Sequence, residues 1–117
     1  LLTLLLKVCF DILKSMAELK RTYLDSGILQ SEYFEINGKK EGVFKGYYSN
    51  GQLSLITLYV DGKKNGESKS YYPNGKLSII GTFIDDKENG EYKQYDYEGT
   101  LVKSCIYKNG LIESDTF

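Results

Sequence analysis

A 24-residue period, running without gaps from residue 19 to residue 114, constrains this chain more than any other feature. Lines begun at Leu19, Val43, Glu67 and Glu91 stay in one register. The fifth column is Tyr in all four (Tyr23, Tyr47, Tyr71, Tyr95), the ninth is Gly (Gly27, Gly51, Gly75, Gly99) and the eleventh is Leu (Leu29, Leu53, Leu77, Leu101). The third is basic each time (Arg21, Lys45, Lys69, Lys93), and the seventeenth is aromatic in three lines (Tyr59, Phe83, Tyr107) but Glu35 in the first. Self-similarity at such a period marks an array of identical supersecondary units that bury surface against their neighbours. The first copy is the least regular, as end copies often are.

The punctuation of each copy predicts one hairpin. Asn-Gly pairs begin at Asn37, Asn50, Asn65, Asn74, Asn89 and Asn109, and Asp61-Gly62 adds another; both residues of such a pair tolerate positive φ, as tight hairpin turns require. Runs such as Lys76 to Ile84, rich in β-branched and aromatic residues and too short for a helix, read as strands. The stretch Gly62 to Gly66 reads as a loop of about five residues joining one hairpin to the next. The expected fold is mainly β: a continuous antiparallel meander of four 24-residue hairpin repeats.

Register follows from the same residues. A two-residue turn at Asn74-Gly75 would set Tyr72 opposite Leu77, whereas a three-residue loop with Gly75 in the left-handed region sets Tyr71 opposite Leu77. Column five is invariant among the copies while column six drifts (Leu24, Tyr48, Tyr72, Asp96), which favours the glycine-bulge loop. The inner face is then expected to carry Tyr71, Leu77, Ile79 and Phe83, with Lys69 at its rim.

The pattern Tyr-Tyr-x-Asn-Gly-x-Leu, an aromatic further on, then Gly-Lys-x-x-Gly, resembles the MORN repeat, and specifically its bacterial variant form, over about residues 19 to 114. Departures are the basic third column, where such repeats often carry an aromatic, Asp86 in place of Gly, and Ser114 in place of the closing Gly. The resemblance implies a non-catalytic scaffold, a membrane-associated repeat, or a bacterial antitoxin-type or envelope component.

Residues 1–18 contain neither Gly nor Tyr and read as an N-terminal amphipathic helix preceding the repeat domain of residues 19–117. Thr3, Lys7, Asp11, Lys14 and Glu18 form its polar stripe, with Leu2, Leu5, Cys9, Ile12 and Met16 around the other side. Lys7 and Asp11 interrupt it as a membrane span. A signal remnant lacks a basic leading region and an Ala-x-Ala-like cleavage site. A helix packed on the sheet is the best reading, because a single layer leaves an apolar face to cover. Such a helix would close the tyrosine face or act as a displaceable plug on it.

Chemistry is excluded more readily than it is assigned. The chain has no His, which removes the commonest general base and zinc ligand and every His-activated nucleophile. No paired carboxylates define a cleft, so an enzyme is not expected, nor is any cofactor or metal. Asp85, Lys87 and Asn89 fit a calcium loop poorly, since Lys87 takes a ligand position and no Glu stands at the twelfth position. Cys9 and Cys105 are expected as two buried thiols. A formal net charge of −1 gives no reason to expect nucleic acid.

The candidate binding residues are therefore the two columns. Tyr23, Tyr47, Tyr71 and Tyr95 would stand about 10 Å apart, two strands per step, as a ladder of rigid amphipathic area for a partner protein; the same ladder could serve only as core. Arg21, Lys45, Lys69 and Lys93 could meet an acidic partner or anionic headgroups, or solvate a strand end. The function expected is a protein-protein interaction or scaffold module. The alternative is a peripheral membrane module, with the helix and the Lys column against a membrane surface, in the cytoplasm or at a bacterial cell envelope. Self-association through the exposed C-terminal edge strand is a further expectation.

Overall fold

The glycines and their partners in the turns set the architecture. A computed structural model describes residues 2–115, with the side chains of all but 10–15. Helix α1 (Leu2–Met16) leads into nine strands: β1 (Glu18–Tyr23), β2 (Leu29–Ile36), β3 (Lys39–Tyr47), β4 (Leu53–Val60), β5 (Lys63–Tyr71), β6 (Leu77–Ile84), β7 (Lys87–Tyr95), β8 (Leu101–Lys108) and β9 (Leu111–Asp115). They form one antiparallel sheet in chain order, the meander expected from the period.

The first turn of each hairpin is the three-residue loop. In the third copy Gly75 has φ 87°, its N–H donates to the Tyr72 carbonyl at 2.9 Å, and the Tyr72 N–H donates to the Lys76 carbonyl at 2.8 Å. Tyr71 accordingly stands opposite Leu77, with a register shift before Ser70 meets Ile79. Asn50 and Asn74 brace these loops: each accepts the backbone N–H two residues on, at 2.9 Å, and donates to a carbonyl of the following repeat.

The second connection differs from the five-residue loop expected. Asp61 and Gly62 alone make the turn, both at positive φ, as do Asn37-Gly38, Asp85-Asp86 and Asn109-Gly110. Lys63 to Gly66 already belong to β5, where the second glycine relaxes a bulge: Thr57 faces Ser68 and Tyr59 faces Lys64, so three residues of β5 oppose Leu58. The turns of adjacent repeats are joined, since the N–H groups of Gly62, Asp86 and Gly110 donate to the carbonyls of Lys40, Lys64 and Glu88 at 2.9 to 3.0 Å.

The bulges also divide the predicted inner face. Tyr71 and Leu77 share one side of the sheet with Lys69 and Ile80, whereas Ile79 pairs with Ser70 on the other, together with Gly81 and Phe83. The inserted residue of each hairpin bulge reverses the alternation between columns eleven and thirteen. Lys69 is thus a member of the tyrosine side and not the rim of the Phe83 side.

Close packing lies on the Phe83 side. A row crosses the strands as Tyr33, Phe44, Thr57, Ser68, Gly81, Tyr92 and Cys105, three small residues at its centre flanked by rings. Thr57 is 1% exposed and Cys105 2%; the hydroxyls of Thr57 and Ser68 share a hydrogen bond at 2.6 Å. A Cβ on Gly81 would meet the Tyr92 ring at 3.3 Å, so the bare glycine is what lets that ring lie down.

Among its described side chains the helix does not form the expected second layer. Leu2, Leu4, Leu5, Leu6 and Val8 are exposed, and Cys9 is exposed too, which corrects its reading as a buried thiol; Cys105 is buried and both are free. An amphipathic pattern states that an apolar face exists, not what meets it. No helix among the described residues is long and apolar enough to cross a membrane.

Candidate functional site

Both predicted columns stand on the face opposite the packed row. Pairing runs Tyr47–Leu53, Tyr71–Leu77 and Tyr95–Leu101 along one line of this face. Beside it Lys45 faces Ile56, Ile56 faces Lys69, Lys69 faces Ile80, and Ile80 faces Lys93. Arg21 opens the same line against Glu32 in the first hairpin. The third line holds Val43 with Leu58, Glu67 with Thr82, and Glu91 with Ile106.

The face is open. Of the large apolar residues left exposed in β2 to β8, Phe34, Val43, Leu58, Val60, Ile84 and Ile106 stand on it, and Val102, at a bulge, is the other. Tyr47, Tyr71 and Tyr95 are half-buried and Tyr23 is exposed.

Relief on this face repeats with the chain. A shallow concavity of about 230 Å³ lies among Val43, Ile56, Leu58, Glu67, Lys69 and Tyr71. Its counterpart one repeat on, about 200 Å³, is lined by Ile80, Thr82, Lys93 and Tyr95, among others. Equivalent columns build both.

The basic column is unevenly neutralised. Arg21 Nε is 2.8 Å from Glu32, which holds the guanidinium pKa above its ordinary value, and Lys69 Nζ is 3.2 Å from Glu67. Lys45 and Lys93 have no carboxylate partner among the described residues. A second cationic line missed in the sequence runs along the same face, where Lys39 pairs with Ile36, Lys63 with Val60 and Lys87 with Ile84. The signal was present as a Lys after the second turn of the first three copies, hidden by reading that stretch as a loop.

The lysines of the packed side are spent internally. Lys40 Nζ lies 5.3, 5.6 and 5.5 Å from the ring centres of Tyr33, Phe44 and Tyr59, Lys64 lies over Phe83 and Lys103 over Tyr92, distances at which a cation is drawn to a ring face. Burial raises the phenol pKa of Tyr59 and of Tyr92, with the Asp86 charge adding to the first and Lys103 opposing the second.

No cluster of His, Cys, Asp or Glu among the described residues is arranged to hold a metal ion. Asp85 and Asp86 instead bind the preceding repeat: Asp86 Oδ1 accepts the Lys64 N–H at 2.8 Å, and Asp85 exchanges bonds with Asn65.

Residues 40–61, 64–85 and 88–109 each match the family model described as MORN repeat variant, together more than half of the chain. Each match spans one hairpin, β3–β4, β5–β6 or β7–β8; the irregular first hairpin is outside them. No curated protein matches the chain.

Proposed function

The chain belongs to the MORN repeat variant family, and from that premise we propose that it is a non-catalytic protein-interaction or scaffold module whose partner docks on the open face. MORN repeats suggest a repeat-based binding or scaffold role. The observation that carries the reading here is the gathering of exposed apolar strand residues beside the tyrosine and basic columns. Tyr and cation side chains flanking small apolar concavities supply rigid contact area and orientation. Affinity capture with the full chain as bait tests it. Partners retained by the wild type are expected to be lost with Ile56→Glu/Ile80→Glu and kept with Lys20→Glu on the opposite face. Equal retention by both folded variants would contradict the reading.

A second reading, peripheral attachment to a membrane surface, is supported by the exposed leucines of α1 and the cationic lines. Flotation of the full chain with anionic vesicles tests it. Binding that falls with Leu4→Glu/Leu5→Glu supports it, and absence of flotation removes it.

A further inference from the structure

We propose that the open face is built to receive an acidic amphipathic α-helix lying across the strands. This rests on the reading of that face as the docking surface, and adds the chemistry of what docks.

The charge is segregated in a way the near-neutral total conceals. The open face carries the basic column and the line of Lys39, Lys63 and Lys87, opposed there by Glu32, Glu41, Glu67 and Glu91, while Asp61 in the adjoining turn pairs with Lys39 at 3.4 Å. Two of the central cations, Lys45 and Lys93, form no salt bridge among the described residues, although Glu32 stands opposite Lys45, and the packed side uses its own lysines on its rings. A complementary partner segment brings carboxylates.

Spacing selects the helix. Along Lys45, Ile56, Lys69, Ile80 and Lys93 a cation and an isoleucine alternate on successive strands, a step of about 4.8 Å. Residues three and four apart on a helix advance about 4.5 to 6 Å along one side. An acidic residue and an apolar residue alternating at that spacing therefore answer the row one for one, and a heptad of about 10.5 Å spans one repeat of about 9.6 Å. A polyproline II segment returns to the same side only every 9.3 Å or so, and a β-strand every 6.6 Å or so; neither follows the alternation. The two concavities take the apolar residues, and Tyr71 and Tyr95 wall them on one side. The chain's own α1 is a poor match, since Lys7 and Lys14 share its polar stripe with Asp11.

The test uses the full chain and a fluorescent three-heptad peptide with Glu at position a and Leu at position d. Three comparison peptides carry Lys at a, Gln at a, or a central Pro. Anisotropy should show the Glu peptide binding about tenfold or more tighter than the Lys peptide, with the advantage shrinking as salt rises. Lys45→Glu/Lys69→Glu should abolish that preference and Lys45→Gln/Lys69→Gln should weaken it, while Lys20→Glu leaves it intact; circular dichroism checks that each is folded. Equal binding of the Glu and Lys peptides overturns the acidic assignment, and undiminished binding of the Pro peptide overturns the helix. If Ile56→Glu/Ile80→Glu nonetheless loses captured partners, the docking face survives and only its ligand chemistry falls. A dimer broken by Ile56→Glu/Ile80→Glu, or anionic-vesicle binding that uses Lys45 and Lys69 without peptide binding, would reassign the face and overturn the proposal.

Discussion

The phenolic hydroxyl of Tyr72 donates to the main-chain carbonyl of Tyr95 at 2.8 Å, and one repeat earlier Tyr48 donates in the same way to Tyr71. Column six therefore stitches the second hairpin to the third and the third to the fourth at the backbone of the tyrosine ladder. In a single-layer array whose stability comes from neighbour interfaces, such bonds matter more than their number suggests. Tyr72→Phe is expected to cost about 1 kcal/mol, read as a lower urea midpoint at unchanged slope.

The Thr57–Ser68 hydroxyl pair predicts a non-additive cycle. Thr57→Val leaves the Ser68 hydroxyl buried without its partner and should cost about 1–3 kcal/mol, whereas the double change with Ser68→Ala removes both polar groups and should cost less than the sum of the single changes. Chemical denaturation of the four proteins gives the coupling directly.

Asp86 occupies a turn position at φ 71°, where the other copies have Gly. Its carboxylate bond to the Lys64 N–H offsets that backbone strain. Asp86→Ala keeps the strain and loses the bond, so a loss of about 1 kcal/mol is expected, while Asp86→Gly trades one against the other and should stay within about 0.5 kcal/mol of wild type. Thermal melts rank the three.

Alkaline pH should destabilise the sheet. The phenols of Tyr59 and Tyr92 have pKa values raised by burial, so the folded state holds these protons to higher pH than the unfolded chain does. Their contribution is intact below the unfolded value of about 10 and is lost as pH rises from there through the raised folded values. Tyr92→Phe should flatten the decline in stability above about pH 10, measured by urea titration across the alkaline range.

How much of this could be seen beforehand divides along physical lines. Identical residues at one period showed the meander, and the fixed Tyr71 against the drifting column six was enough to choose the glycine-bulge register. The allocation of faces was not legible, because the one residue inserted at each hairpin bulge reverses the alternation and leaves no mark in composition. Gly62 and Gly66 are chemically identical, yet one turns the chain and the other bulges a strand. Which distinction holds depends on pairing with β4. The tyrosine and basic columns were visible as sets; that they share a face with Ile56 and Ile80, and that Lys39, Lys63 and Lys87 join them, needed the register.

The side of the sheet bearing Tyr71 and Lys69 is an uncovered surface, and the side bearing Thr57 and Cys105 is the core. Hydroxyl-radical footprinting of the free full chain, read residue by residue in a mass spectrometer, tests it most directly. Strong labelling of Leu58, Val60 and Ile84 is expected, with Cys105 protected. Protection of Leu58, Val60 and Ile84 with labelling of Cys105 would contradict it.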